Sequence, residues 1–216
     1  MILPFRTPAD VAAVLEPVRE HLTAGRLLAY PTETVYGLGS APDAAALAAL
    51  AALKGRPSRK PFLLLVASRA MASAWGLSFN TAARALADAF WPGPLTLVLP
   101  GGEGRLPDQL RGAEGGIAVR HTSHAGVAAL VKGLGIPITS TSANRPGGPP
   151  APGVDSLASL FADALARGEL LVLDGGVLGN VPPSTIVDCT GVMPRMVREG
   201  ALPRAELRRA VGRLAP

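Results

Sequence analysis

The sequence predicts an α/β (α+β) protein with a twisted, mixed β-sheet and helices packed on it. Short apolar runs typical of buried strands alternate with segments whose apolar residues recur at helical spacing. Toward the C-terminal end, three short strands, "ELLVLDGG", "STIVDC" and "PRMVREG", follow one another in near succession. Parallel neighbours need long crossover connections, so this succession favours a mixed sheet over a fully parallel one.

In the first half of the chain, a helical pattern covers residues 8 to 24, and Pro17 predicts a kink or a restart within it. The run "RLLAY" predicts a buried strand, and "PFLLLVA" predicts another. Asp43 can cap the helix "AAALAALAALK", and Asn80 can begin a helix over residues 80 to 90. Helices and strands therefore interleave in this half.

The second half continues the alternation. It begins with a predicted strand "LTLVLP", a glycine-rich loop over residues 101 to 115 and a strand "GIAVR". A helix ended by Gly135, a strand "IPITSTSAN" and a rigid loop "RPGGPPAPG" follow. The chain then continues with a further helix, the three strands above and a last helix over residues 203 to 214. Ser123 and Asp155 are the candidate N-caps of the two middle helices. The two loops are candidate lids.

Bulk properties limit the class of protein. The chain has 216 residues, the size of one domain, and we expect a single domain over residues 1–216. No apolar run reaches the roughly 18 residues of a membrane span, and the N-terminus shows no secretory signal. One cysteine, Cys189, excludes an internal disulfide, so we expect a cytoplasmic protein without a membrane partner. The net charge of +5 suits an anionic ligand such as a nucleotide or RNA, or reflects an arginine-rich genome.

Two polar groups follow early predicted elements. Thr32, Thr34 and Tyr36 come directly after the strand "RLLAY", with Gly37 and Gly39 behind them. In an extended segment the two threonine hydroxyls point the same way, and the glycines permit a tight turn or the close approach of a ligand. The segment reads equally as a ligand mouth or as an ordinary turn.

The second group is the cationic stretch "KGRPSRK". It contains Lys54, Arg56, Arg59 and Lys60, more positive charge than a helix C-terminus needs. A phosphate chain would explain it, because arginine offers a planar donor fork and lysine a point charge. A solvated basic turn is the alternative.

Two further polar groups follow later strands. "STSAN" places Ser140, Ser142 and Asn144 at a strand end, where they could contact a ribose, a phosphate or a carboxylate, or could cap their own turn. Ser184 and Thr185 precede a strand, and Arg198 ends the next one. His121 and His124 lack the companions of a metal site, and the sequence contains neither a Walker loop nor a nucleophile elbow.

Taken together, these motifs resemble the YrdC family, the L-threonylcarbamoyladenylate synthases. The matching stretches, in family order, are "YPTETVYGLG", "KGRP", "AVR", "TSAN", "STIVD" and "VREG". They cover about residues 8 to 200, beyond which lies the predicted helix of 203 to 214. The resemblance implies a YrdC-like fold in its single-domain form, because the longer branch adds a second domain after this point.

The resemblance also implies an activity. The family condenses L-threonine, bicarbonate or CO2, and ATP to threonylcarbamoyl-AMP and pyrophosphate, a nucleotidyl transfer that feeds threonylcarbamoylation of adenosine 37 in tRNA. Mg²⁺ is expected to accompany ATP. The implied partners are tRNA or RNA and separate proteins that transfer the threonylcarbamoyl group to tRNA.

The implied roles fall on residues already singled out. Thr34, Arg120 and Ser184 would contact threonine, with Thr32 and Ser140 as further candidates. Lys54 and Arg56 would be catalytic and, with Lys60, hold the triphosphate. Ser142, Asn144 and Arg198 would complete the ATP site. The resemblance implies no metal-binding residue of the protein itself, and Mg²⁺ would enter with ATP.

The chain departs from the family at two positions. Leu65 stands where long members often carry a threonine-contacting histidine, and Pro150 stands where many have a serine. Three alternatives stay open at this point: a paralogue with altered substrate choice, a carbamoyl-transfer module, and an RNA-binding protein that makes no adenylate. The last would use a basic surface of Lys54, Arg56, Arg59, Lys60, Arg120 and Arg145.

Overall fold

A computed structural model describes residues 1–55, 61–179 and 181–215. Its centre is a ten-stranded sheet with the order β1-β8-β2-β3-β7-β4-β6-β5-β9-β10. The strands are β1 Ile2–Pro4, β2 Leu27–Tyr30, β3 Gly37–Gly39, β4 Leu63–Leu65, β5 Leu95–Leu99, β6 Ile117–Arg120, β7 Ile138–Ser142, β8 Leu170–Asp174, β9 Thr185–Asp188 and β10 Arg195–Arg198. Parallel pairs such as β2 with β8 occur beside antiparallel pairs such as β5 with β6, so the predicted mixed sheet is confirmed.

Helices cover both faces of the sheet. They are α1 Pro8–Thr23, α2 Ala44–Lys54, α3 Arg69–Ala74, α4 Thr81–Phe90, α5 Ala125–Leu134, α6 Val154–Leu160, α7 Ala162–Ala166 and α8 Arg204–Val211. One face packs on α1 and α5, through residues such as Val18 and Leu130. The other face packs on α2, α4 and α6 to α8, through residues such as Leu50, Leu86 and Leu207. None of the described helices has the length and apolar character that a membrane crossing requires.

The predicted helix starts are confirmed at two positions and wrong at two others. Asp43 caps α2 and Asn80 caps α4, each by accepting a backbone N–H three residues on. Ser123 does not cap α5, because the helix begins one residue later than predicted and His124 occupies the cap position, where its Nδ1 accepts the Val127 N–H. Asp155 does not cap α6, because the helix begins at Val154 and Gly153 occupies the N-cap position.

Pro17 does not interrupt the first helix. The helix α1 runs unbroken from Pro8 to Thr23 around it, begun by a capping box between Thr7 and Asp10. Val14, Val18 and Leu22 bury one face of α1, and this packing holds the helix together although proline lacks the N–H of one hydrogen bond. The predicted restart is therefore wrong, and the predicted kink stays a prediction.

The glycines of "YGLGS" form a strand and not a tight turn. Gly37 to Gly39 are β3, which pairs with β2 on one side and with β7 on the other. A Cβ atom on Gly39 would lie 2.0 Å from the carbonyl oxygen of Thr139, and one on Gly37 would lie 3.0 Å from the Tyr30 ring. The close approach that these glycines permit is to the protein's own neighbouring strand and tyrosine. The short elements β1 and α3 were also not predicted.

Strand register places many polar side chains on one face of the sheet. Arg120 is level with Leu65 on one neighbour and with Thr96 on the other. Thr96 is in turn the register partner of Ile186 in β9, and Ile186 is the register partner of Arg198 in β10. Side chains that are level in adjacent strands point to the same face. Among the described residues, the apolar cluster beneath α1 and α5 includes none from β5, β9 or β10, so polar groups occupy that part of the face.

Candidate active site

The segment between β2 and β3 brings two hydroxyls together. Thr32 Oγ1 and Thr34 Oγ1 are 3.1 Å apart, and both side chains are buried. The segment is a turn and not an extended strand, because Thr32 Oγ1 donates to the carbonyl of Val35 at 2.6 Å and accepts the N–H groups of Thr34 and Val35. Tyr36 points away from this pair: its hydroxyl donates to Gly176 O at 2.8 Å, which anchors the turn to the end of β8.

Arg120, at the end of β6, lies against this turn. Its side chain is only 6% exposed. Its Nη2 atom is 2.7 Å from Glu33 Oε1, and Nη1 and Nη2 are each 3.5 Å from Thr34 Oγ1. Its Nε donates to the carbonyl of Gly93 at 3.3 Å. The guanidinium is therefore held in place from two sides, beside the threonine hydroxyls.

Glu33 is a site residue to which the sequence reasoning gave no role. Burial by itself raises the pKa of this carboxyl, but the charge of Arg120 and hydrogen bonds from Thr122, Arg120 and the Ser123 N–H lower it to about 2. Glu33 is thus ionised at neutral pH. The available signal was a carboxylate placed between two candidate threonines, but its partners lie nearly ninety residues away in sequence.

Ser184 and Arg198 lie beside Arg120. Ser184 Oγ is 2.8 Å from Thr96 Oγ1, and Thr96 is level with Arg120 in the sheet. Arg198 Nη2 donates to Ser184 O at 2.6 Å. Burial, followed by the nearby charge of Arg120, lowers the pKa of Arg198. Arg120 and Arg198 therefore lie close together, next to Ser184 and Thr96. Thr96, like Glu33, is a site residue that the sequence reasoning missed.

Thr185 does not belong to the site. Its hydroxyl donates to Leu202 O at 2.7 Å and accepts the N–H groups of Gly200 and Leu202. These contacts fix the chain that follows β10. The role of Thr185 is structural, although it is adjacent to Ser184 in sequence.

Lys54 and the turn "STSAN" form a second polar group. Lys54 is the last residue of α2, and it is 6% exposed. Its Nζ donates to the carbonyls of Ser142 at 2.5 Å and Asn144 at 2.6 Å, and also to Asn144 Oδ1. Ser142 Oγ donates to the same Oδ1 at 2.6 Å. The predicted phosphate-binding cations Arg56 and Lys60, with Arg59, lie outside the described residues.

Ser140 and Leu65 lie between these two polar groups. Ser140 is buried on β7, beside the Tyr30 ring and two residues before Ser142. Leu65 is 1% exposed and packs in the apolar cluster beneath α1 and α5. Its register partner in β6 is Arg120. An apolar side chain thus borders the arginine at the position where a polar family residue was expected.

Within the described ranges, the candidate site coincides neither with a cluster of metal-ligating side chains nor with the surface cavity. The described ranges contain no group of three or more His, Cys, Asp or Glu side chains that could hold a metal ion. A surface cavity of about 460 Å³ lies between α2 and α7. Its lining includes Arg145 of the alternative basic surface but none of the residues predicted to bind threonine or ATP. The geometry of strands and side chains therefore defines the candidate site, and this cavity is separate from it.

Comparison with known proteins places the chain in a family. Residues 20–200 match the model of the Sua5, YciO and YrdC proteins, which carries the description "Telomere recombination". The chain belongs to the Sua5/YciO/YrdC family. The predicted YrdC membership is therefore confirmed, and the matched range contains Thr34, Lys54, Arg120, Ser184 and Arg198.

Individual members of the Sua5/YciO/YrdC family agree with this assignment. A threonylcarbamoyl-AMP synthase of Chromohalobacter salexigens is 40% identical over 168 residues, which are 77% of this chain and 88% of that protein. The structure of Pyrococcus abyssi Sua5 complexed with L-threonine superposes with a TM-score of 0.86 at 33% identity, covering 100% of this chain and 63% of that one. Escherichia coli YciO gives a TM-score of 0.77 at 26% identity, with 94% and 96% covered.

Proposed function

We propose that the chain is a threonylcarbamoyl-AMP synthase, an enzyme that joins L-threonine, CO2 or bicarbonate, and ATP and releases pyrophosphate. The name of the Chromohalobacter relative and the threonine bound to the Pyrococcus structure support this activity. The observation that carries the proposal is the buried guanidinium of Arg120, which lies beside the hydroxyl of Thr34, with the more exposed Arg198 bound to the neighbouring Ser184. Such a site suits small anions with hydroxyl or carboxylate groups.

The chemistry needs charge stabilisation more than a nucleophilic side chain. The amine of threonine, once deprotonated, adds to CO2 and gives a carbamate. A carbamate oxygen then attacks the α-phosphorus of ATP, the bond to the bridging oxygen breaks, and pyrophosphate leaves. Negative charge develops on phosphate oxygens during this nucleotidyl transfer, so oriented cations and hydrogen-bond donors lower the barrier.

The threonine end of the reaction is assigned to the arginine side of the site. Arg120 would hold the carboxylate of threonine, with the hydroxyls of Thr34 and Ser184 as its neighbours. Thr32 contacts Thr34 and Ser140 lies beside Tyr30, so both would shape this region. Burial of Arg120 strengthens a charge-assisted hydrogen bond to a carboxylate.

The ATP end is assigned to the lysine side. Lys54, with Arg56 and Lys60, would hold the triphosphate, next to Ser142 and Asn144. Arg198 lies on the arginine side, bound to Ser184, and would contact ATP where the two ends of the site meet. In the free protein Lys54 Nζ is bound to the "STSAN" turn, so the lysine and this turn form one unit. A nucleotide would therefore meet a cation whose position is already fixed.

Mg²⁺ fits this arrangement as a companion of ATP. Ser142 Oγ and Asn144 Oδ1 are oxygen donors, the type that Mg²⁺ prefers. The described residues contain no cage of acidic side chains, so phosphate oxygens and water would supply most ligands. When bound, the ion would neutralise phosphate charge, while Lys54 and the turn orient the nucleotide.

The RNA-binding alternative receives less support from the geometry. Lys54 and Arg120 are buried, whereas contact with a nucleic-acid backbone needs exposed cations. Arg145 Nη2 donates to Leu160 O at 2.7 Å, and its guanidinium lies 5.2 Å from the centre of the Phe161 ring.

The adenylate product is a reactive mixed anhydride, so we propose that separate transfer proteins pass its threonylcarbamoyl group to tRNA.

Pyrophosphate release from ATP tests the proposal. In the presence of bicarbonate, release should depend on L-threonine and should be much lower with L-serine. Arg56→Ala and Arg120→Ala should each reduce the rate by about a hundredfold or more, as expected when a charged contact to the transition state is lost. Arg167→Ala is the matched control, because this arginine is exposed and paired with Glu169. A folded wild-type protein that releases no pyrophosphate under any condition would refute the activity.

A further inference from the structure

Glu33 connects two segments that meet at the candidate site. Its Oε1 accepts Arg120 Nη2 at 2.7 Å and the Ser123 N–H at 3.1 Å, and its Oε2 accepts the Thr122 hydroxyl. The Glu33 side chain is 18% exposed. Both carboxylate oxygens therefore have protein donors, and two of these donors belong to the chain that follows β6.

The same carboxylate determines how Arg120 is oriented. Arg120 Nε is bound to Gly93 O and Nη2 to Glu33, so two of the three nitrogens of the guanidinium are fixed by different segments. The remaining N–H groups are near the Thr34 hydroxyl. Glu33 also supplies the negative charge that compensates the buried charge of Arg120.

We propose that Glu33 is a positioning residue that orients the guanidinium of Arg120 to bind the carboxylate of the amino-acid substrate. The inference rests on the proposed function and adds a specificity determinant to it. Glu33 does not touch the substrate and acts through Arg120. An arginine fork binds a carboxylate in two parallel hydrogen bonds only when its plane is correctly oriented, so fixing that plane contributes to affinity and to selectivity.

Glu33 could instead occupy the place of the substrate carboxylate and be displaced by it. The other contacts of Glu33 argue against displacement. The Thr122 hydroxyl and the Ser123 N–H hold the carboxylate independently of Arg120. If the carboxylate of Glu33 moved away from Arg120, its bonds to Thr122 and Ser123 would also be disturbed. Polar groups left without partners in a largely buried place would make this movement unfavourable.

The test compares ligands with and without a carboxylate in wild type and in Glu33→Gln. Calorimetry would measure the affinities for L-threonine, for L-threonine amide and for a non-hydrolysable ATP analogue. In Glu33→Gln the Kd for threonine should rise about tenfold or more, the effect of disturbing a charge-assisted hydrogen bond. The preference for threonine over its amide should shrink, while the Kd for the ATP analogue changes less than about twofold.

Further variants separate positioning from a structural role. Arg120→Gln alone and combined with Glu33→Gln should bind threonine equally weakly, because Glu33 acts through Arg120. Thr122→Val, which removes one donor to Glu33, should change the ligand preference in the same direction by a smaller factor. This variant keeps the proposal testable if Glu33→Gln does not fold. Glu169→Gln, in an exposed pair with Arg167, should change nothing.

Several results would overturn the proposal. An unchanged or tighter Kd for threonine in folded Glu33→Gln would do so, as would an equal loss for threonine, its amide and the ATP analogue together with a lower Tm. If wild type releases pyrophosphate with threonine, these results reject only the role of Glu33. If wild type neither binds threonine nor releases pyrophosphate, the proposed function itself fails.

Discussion

Among single residues, those that end predicted strands were the easiest to find from the sequence. Arg120 closes β6 and Ser142 closes β7, so an apolar run followed by a polar side chain marked each of them. Glu33 and Thr96 carried no such mark, because their importance comes from partners in distant segments. Thr185 shows the opposite case: it is adjacent to Ser184, but its hydroxyl fixes the chain after β10.

Glu33 should make part of the stability depend on pH in the acid range. Its folded-state pKa of about 2 lies below the value of about 4.3 expected in the unfolded chain. The stabilisation is therefore complete above about pH 4.3 and is lost as the pH falls toward about 2. We expect the difference in free energy of unfolding between wild type and Glu33→Gln to be constant from pH 7 to about 5 and to shrink below.

Denaturant titrations at a series of pH values would measure this difference. Glu169→Gln is the comparison, because its exposed ion pair should contribute little at any pH. A difference for Glu33→Gln that stays constant down to pH 2 would contradict the assignment of a strongly lowered pKa.

At the scale of elements, two helix caps could be predicted because an Asp or Asn side chain stands directly before the apolar helical pattern. Asp43 and Asn80 each accept an N–H of their own helix, and the amide nitrogen of Asn80 also donates to the carbonyls of Cys189 and Gly191. The prediction for Ser123 was wrong by one residue, because a histidine ring nitrogen caps α5 instead. The short elements β1, β3 and α3 were not predicted, because a segment of three to six residues contains too little periodicity to indicate a strand or a helix.

The two candidate aspartate caps should differ in their effect on stability. Asp43→Ala removes the oxygen that accepts the Ala46 N–H at 2.8 Å, and it should cost about 1 kcal/mol of stability. Asp155→Ala should cost less than about 0.5 kcal/mol, because Asp155 is an exposed residue in the first turn of α6 and not its cap. Equilibrium unfolding in urea measures both, and equal losses would contradict the observed helix start.

At the scale of the whole molecule, the fold class could be predicted but the order of the strands could not. Interleaved helices and strands, with successive strands at the end, were enough for a mixed sheet. The insertion of β7 between β3 and β4 depends on pairings between segments up to about a hundred residues apart. Local patterns contain no information on such pairings. For the same reason the meeting of Glu33 with Arg120 could not be predicted.

The helix α8 should be part of the cooperative core. Leu207 is fully buried in the cluster that also contains α4 and the sheet. Leu207→Ala should therefore lower the free energy of unfolding by about 2–5 kcal/mol, the cost of a cavity in a packed interior. Val192→Ala, at an exposed position, is the control and should have little effect. A small loss at Leu207, or a separate transition for the last helix, would show that α8 is an appendage.

The central position of β7 has a consequence for synthesis on the ribosome. β3 and β4 have both emerged long before residues 138–142, the strand that pairs with each of them, leave the exit tunnel. During this interval the edges of β3 and β4 that β7 covers in the folded sheet are unpaired, and unpaired strand edges can pair with other chains. Chaperone binding to nascent chains should consequently be strongest in this window and should fall once the strand between the two edges has been released.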